Sequence, residues 1–300
     1  VRRLSYFDLA GRATASFERD ALARAIERLS RTYREGREPA HERGAIDRAA
    51  YLVHVLPAHV CDERRLLLEE LPQALEGELV VLALGGGPGT EVLAVGEAVA
   101  QLAARGEPHA RSVSVRRVDR VATWDQAFAP LESAFREALV QIDSEAGSAW
   151  TLDAPPTIAA DLARPPLPAA VIDGARTASL VVIANLVTEL APRGTPRPPE
   201  GFLENVATLA RAAPAHQRIV ILDRAHAPGA LARIEATLDA IAKARPLEHL
   251  VPPAERENRC ACTLTRATKD LYARVRLETT KVEDKPILTT RTAWALATVA

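Results

Sequence analysis

Residues 79–84, Leu-Val-Val-Leu-Ala-Leu, form an unbroken apolar run. It stops on Gly85-Gly86-Gly87-Pro88-Gly89, and a helix-forming stretch opens at Thr90. Few folds accommodate that order. A short run rich in valine and leucine, bounded by glycines, fits a strand buried on both faces, as in a parallel sheet. Glycines after such a strand allow a tight turn and close approach of the backbone to a ligand. The start of the next helix offers N–H groups that have no partner within the helix.

The rest of the chain repeats this alternation. Strands are expected at Ser112–Asp119, Thr157–Asp161, Leu180–Asn185 and Arg218–Asp223. Helices are expected between them at Thr90–Arg105, Gln126–Ile142, Gly201–Ala213 and Pro228–Ala244. Strands alternating with helices imply βαβ units and a parallel sheet covered on both faces. Ahead of this region, apolar residues recur near the helical period from Ser16 to Arg34. Helices also follow at Ala45–Leu56 and Asp62–Leu75, separated near Pro57. The expected division is therefore an amino-terminal helical cap over 1–76 and an α/β domain over 77–300. Near the end, apolar alternation in Cys260–Leu264 and Tyr272–Leu277 predicts two antiparallel strands. The proline-rich stretch Ala191–Pro199 reads as a loop, either a lid at the ligand-binding edge or a plain surface connection.

Formal net charge is -1, which excludes a strongly basic nucleic-acid platform. The first fifty residues hold 11 arginines against 8 acids, only mildly basic. Arginine greatly outnumbers lysine, the mark of GC-rich coding, and a bacterial source is expected. Three cysteines suggest no disulfide framework and point to a reducing compartment. Cys260 and Cys262 are read as strand cysteines sharing one face, because further metal ligands are missing from the pattern. Val1–Asp8 does not open a signal peptide. The apolar stretch Leu79–Ala104 is broken by its glycines and carries Glu91 and Glu97, so no membrane span is expected and the protein is read as cytoplasmic.

The spacing of the glycines narrows the ligand. A dinucleotide pattern GxGxxG would need its third glycine at position 90, which is Thr90. A phosphate loop would need Gly-Lys-Ser/Thr, which does not occur here. Glycines at 85, 87 and 89 resemble the first motif of class I S-adenosylmethionine-dependent methyltransferases. The resemblance implies a Rossmann-like, doubly wound, mostly parallel seven-stranded sheet with its last strand antiparallel. It also implies S-adenosylmethionine as cofactor and S-adenosylhomocysteine as product. By the same resemblance Gly85, Gly86, Gly87, Pro88, Gly89 and Glu91 hold the cofactor, and Asp119 accepts hydrogen bonds from the ribose hydroxyls. Asp161 contacts the adenine amino group, and Asn185 faces the methyl group. One departure stands out. Many members carry an acid two residues before the first glycine, which helps hold the methionine end of the cofactor, and here that residue is Ala83.

The segment Ala50–Ala58, the loop Leu82–Glu91 and Ile183–Leu190 are also similar to the Rsm22-like methyltransferase-like family, over roughly residues 45–225. That group's cysteine cluster has no counterpart here, so the resemblance implies fold and cofactor, not a ribosomal role. Asn185, Glu189 and His54 are the catalytic candidates. Tyr51 is expected at the cofactor, and Arg224 and His226 either bind an anionic acceptor or are solvated. Trp124 either stacks near adenine or packs in the core. The acceptor is a small molecule or RNA. Two other readings stay open: an inactive methyltransferase-like module acting on RNA or a ribosomal particle, and a nicotinamide-dependent oxidoreductase.

Overall fold

The computed structural model describes residues 4–35, 44–146, 150–191, 195–225, 227, 229–259, 266–275 and 289–300. The apolar run is the strand β1 (Gly77–Leu84). It pairs in parallel with β2 (Ala110–Asp119) on one side and with β5 (Leu180–Ala184) on the other. Strand β6 (Arg218–Arg224) pairs in parallel with β5, β8 (Thr289–Val299) runs antiparallel to β6, and β7 (Leu247–Arg259) runs antiparallel to β8. Two short strands, β3 (Thr151–Asp153) and β4 (Ile158–Ala159), both pair with β2. The spatial order is β3-β2-β1-β5-β6-β8-β7, with β4 continuing the edge position that β3 begins. This is the expected doubly wound, mostly parallel α/β sheet with seven strand positions.

Side chains alternate between two cores, as the pleat dictates. Val81 and Ala83 of β1, Val182 of β5 and Val220 of β6 face one core. Leu82, Leu84, Ile183 and Ile221 face the other. The second core is covered by α7 (Ala169–Thr177), α9 (Glu200–Ala212) and α10 (Ala230–Ala244). The first is covered by α5 (Thr90–Ala104) and α6 (Trp124–Ala146), and the amino-terminal helices join them. These are α1 (Tyr6–Ala13), α2 (Arg19–Glu35), α3 (Ala45–His54) and α4 (Leu56–Glu70). Tyr6, Leu22, Leu52 and Leu67 lie in one continuous apolar cluster with the sheet. The break between α3 and α4 falls at Val55, and Pro57 sits in the first turn of α4, where a missing N–H costs nothing.

Helix α5 is sandwiched so fully that its Glu97 is buried. Its carboxylate accepts hydrogen bonds from the Tyr6 hydroxyl of α1, from Arg64 of α4 at 2.7 Å and from Gln101 at 2.9 Å. A second polar tie joins α4 to the sheet, where Asp62 accepts from Thr290 and, at 2.9 Å, from Thr292 of β8.

The carboxy-terminal expectation needs correction. Tyr272 ends a helix, α11 (Arg266–Tyr272), and is not the start of a strand. The antiparallel pair is formed by β7 and β8. Neither announces itself. Strand β7 contains Pro252-Pro253 and alternating charges, which an edge strand tolerates, and its register shifts between Val251 and Ala254 to pass the prolines. Strand β8 is buried on both faces, Trp294 and Leu296 toward one core and Ala293, Ala295 and Ala297 toward the other, so period-two alternation is lost. Cys260–Leu264 lies outside the described residues. The expected third strand shrinks to β4.

Replacing Glu97 by alanine removes the acceptor shared by three groups and leaves Arg64 buried without its counter-charge. An expected loss of about 3–5 kcal/mol is read from urea unfolding, with no change in the slope of the transition.

Candidate active site

β1 has β2 on one side and β5 on the other, so the chain leaves the ends of these strands in opposite directions and a crevice opens between the loops. There the structure holds a cleft enclosing about 670 Å³, part of it open to solvent. Its lining includes Tyr51, Gly85, Pro88, Asp119, Trp124, Asp161, Asn185 and Glu189. Seven of these eight residues were singled out from the sequence for the cofactor or the chemistry, and the eighth, Trp124, was left between two roles.

The glycine loop is held from two directions. Gly85 N–H donates to the Val118 carbonyl at 2.8 Å, and Gly89 N–H to the Gly86 carbonyl at 3.0 Å. Asp119, at the end of β2, accepts from Gly87 N–H at 3.1 Å and from Val121 N–H at 2.8 Å. The same carboxylate lines the cleft. Gly87 is required by close approach, because a Cβ there would stand 2.2 Å from Trp124 Cδ1 and 2.6 Å from Asp119 Oδ2. Gly89 is required by conformation and by space, with φ at 80° and the Phe128 ring in the way of any side chain.

Beneath the loop lies Arg117, which sequence reasoning passed over as one charge in a strand. It is 2% exposed, donates to the Gly87 carbonyl at 3.3 Å, pairs with Asp125 at 2.9 Å and stacks 4.3 Å from the centre of the Phe128 ring. Asp125 in turn accepts from Thr157 just ahead of β4. The one available signal was the pair Arg116-Arg117 in a strand that otherwise alternates serine and valine, where one of two neighbours must point inward.

Asp161 follows β4. Its Oδ1 accepts from Ala163 N–H at 3.0 Å, and Arg164 stands 3.2 Å from Oδ2. Asn185 follows β5 with φ at 55°, a left-handed conformation that asparagine tolerates better than most residues, and its N–H donates to the Leu222 carbonyl. Glu189 lies in the short helix α8 (Val187–Leu190), with Arg224 of β6 at 3.6 Å. The neighbouring Thr188 N–H donates to the buried Asp223 at 2.8 Å, fixing α8 over the end of β6. Trp124 packs in the core, 1% exposed, while its ring meets Tyr51 edge to face at 5.4 Å on the cleft wall. Burial raises the Tyr51 phenol well above its ordinary range, and the carboxylates of Glu189, Glu91 and Asp119 add to the rise. Of the Ala191–Pro199 loop, Thr195 is anchored by Arg233 through its carbonyl. His226 lies outside the described residues.

Two expected site residues lie elsewhere. Glu91 is buried behind the loop, and burial lifts its carboxyl to about 7. His54 does not line the cleft. It is buried in the cap, with Nε2 3.0 Å from Ser30 Oγ and Nδ1 2.8 Å from the Tyr272 hydroxyl, and burial pushes its pKa down to about 4. An apolar helix around a histidine signals packing as readily as chemistry, and here it joins α2, α3 and α11.

No family model matches the chain, and no curated protein matches it. Among solved structures, the N-methyltransferase NodS from Bradyrhizobium japonicum is 13% identical, with 79% of this chain and 94% of that chain covered and a TM-score of 0.40. An O-methyltransferase family protein from Burkholderia thailandensis is also 13% identical, covering 85% and 60% at a TM-score of 0.41. A methyltransferase from Bacillus halodurans is 14% identical, covering 77% and 97% at 0.37.

Two outcomes are expected. Gly87→Ala forces Trp124 or the loop to move and should destabilise the protein by about 1–3 kcal/mol, seen as a lower Tm. For His54, the unfolded chain binds a proton below about pH 6.5 that the folded chain refuses until about pH 4, so its contribution to stability falls as pH drops through that window. Glu91 works in the opposite sense there, because its raised pKa makes the folded state the stronger proton binder. The difference between wild type and His54→Gln isolates the histidine. Chemical unfolding should show the acid loss, about 3 kcal/mol, in the wild type relative to the variant.

Proposed function

We propose that the chain is a class I S-adenosylmethionine-dependent methyltransferase whose cofactor lies over the glycine loop and whose acceptor enters beside β5. The observation that carries this reading is Asp119. A strand-end carboxylate fastens the glycine loop and lines the cleft beside it, and a carboxylate is an acceptor suited to two adjacent ribose hydroxyls. The residues fit the group in other respects. Gly87 leaves no side chain between the loop and Trp124, and Asp161 stands across the cleft where it can accept from an exocyclic amine. Bound S-adenosylmethionine supplies an activated methyl on a sulfonium sulfur, and S-adenosylhomocysteine is the product.

The protein's own part is alignment and exclusion of water. Tyr51 and Trp124 form an aromatic wall, while Asn185 and Glu189 line the acceptor side. Glu189 is the cleft's candidate for taking a proton from an acceptor, and Arg224 at 3.6 Å steadies its charge. Thr90, in the place of a dinucleotide motif's third glycine, counts against a nicotinamide. The finer likeness to the Rsm22-like group rests on its shared sequence segments. The boundary at 76/77 falls where β1 begins, while the cap shares the sheet's core.

Titration calorimetry with S-adenosylmethionine, S-adenosylhomocysteine and NAD tests the reading. Binding of the first two and not the third is expected. Asp119→Ala should weaken it by about tenfold or more, a loss of roughly 1.4 kcal/mol, and Asp119→Asn by less. Binding of NAD alone, or of none of the three, would refute the proposal.

A further inference from the structure

A groove that shares no residue with the cleft runs between α9 and α10, enclosing about 1110 Å³, part of it open to solvent. Its floor is Leu203 and Ala207 of α9 with Ala236, Ala240 and Ala244 of α10, the leucine buried and the alanines half-buried. Small side chains at this spacing let another helix approach closely. Exposed charges flank the floor in a fixed order. Positions 200, 204, 207 and 211 fall on one face of α9, and they read Glu200, Glu204, Ala207, Arg211. On α10, Asp239 likewise comes one turn ahead of Lys243. Strand β6 runs parallel to β5, and β7, antiparallel to β8, points the same way as β6, so α9 and α10 run in the same direction. Acid therefore precedes base along both sides of the groove. Among the described residues Glu204, Arg211, Asp239 and Lys243 take part in no ion pair, and Arg211 donates to Thr208 at 3.0 Å. Arg197, at the acidic end, is held by Glu200 at 3.4 Å.

We propose that this groove is where a second copy of the chain docks, its own α9–α10 face laid antiparallel across the first about a two-fold axis near Ala207 and Ala240. A two-fold axis reverses the order of charges in the facing copy, so each acid meets a base: Glu204 of one copy faces Arg211 of the other, and the reverse contact is made as well. Ala207 lies midway between those two positions, which stand about 10 Å apart along the helix. Copies laid parallel would set acid on acid and base on base. The antiparallel setting also opposes the dipoles of the facing helices. At the two ends of α9 this charge order suits that helix's own dipole, but Asp239 sits in the body of α10, beyond that influence. The proposal is independent of what the cleft binds.

Sedimentation equilibrium tests it. The wild type should show a concentration-dependent equilibrium between monomer and dimer that weakens as salt is raised. Glu204→Lys and Arg211→Glu should each weaken the dimer by about tenfold or more, because either one sets like charges against each other at both symmetric contacts. Mixed in equal amounts, the two variants should recover dimerisation, since every contact in the mixed pair again joins opposite charges. The double variant Glu204→Lys/Arg211→Glu should recover it alone. Both positions are exposed, and circular dichroism confirms the fold of each variant. A wild type that stays monomeric across the concentration range overturns the proposal. So does a dimer that neither single variant weakens, which is held through another face, and so does a dimer that both weaken and the mixture does not recover.

Discussion

Parallel pairing of β1 on both of its sides is the constraint from which the rest of the structure follows. A strand flanked in this way can leave the sheet only at its ends, and its outward neighbours carry the chain away to opposite faces. The cleft is the space left by that divergence. It also explains why the loop after β1 must be so small: Trp124, Phe128 and the end of β2 crowd it from below, so backbone alone fits. Asp119 then does two things with one side chain, closing the loop against β2 and lining the opening.

The parts of the fold that were legible in the sequence are those where local pattern and tertiary role coincide. β1, β5 and β6 are short apolar runs because both faces are buried, and the glycines after β1 mark the turn that the packing demands. The parts that were not legible break this agreement. β7 contains prolines and charges because it is an edge, and β8 alternates large and alanine side chains that are all apolar, so neither carries a strand's usual signature. The site divides in the same way. Asp119, Asp161 and Asn185 stand at strand ends, which position along the chain can locate. Arg117 comes to the loop only through which face of β2 turns inward. His54 shows the reverse error, where a chemically apt side chain serves to hold three helices together.

The amino-terminal helices are part of the site's construction. Glu97 fastens α1 and α4 onto α5, the helix that begins at the glycine loop. α3, packed beside α4, brings Tyr51 to the cleft wall. The same helices thus contribute apolar area to one core and polar groups to the opening above it. Loosening them would alter the cleft without touching a strand end.

The two rims of the sheet bear on how this molecule can meet others. One rim is split into β3 and β4, of three and two residues, too short to template a further strand. The other, β7, is bent at Pro252-Pro253 and then carries Glu255, Arg256 and Glu257 in succession. Both rims resist strand addition. Growth of the sheet from one copy into the next is therefore disfavoured, and a macromolecule that engages this protein does so across its helices or at the mouth of the cleft.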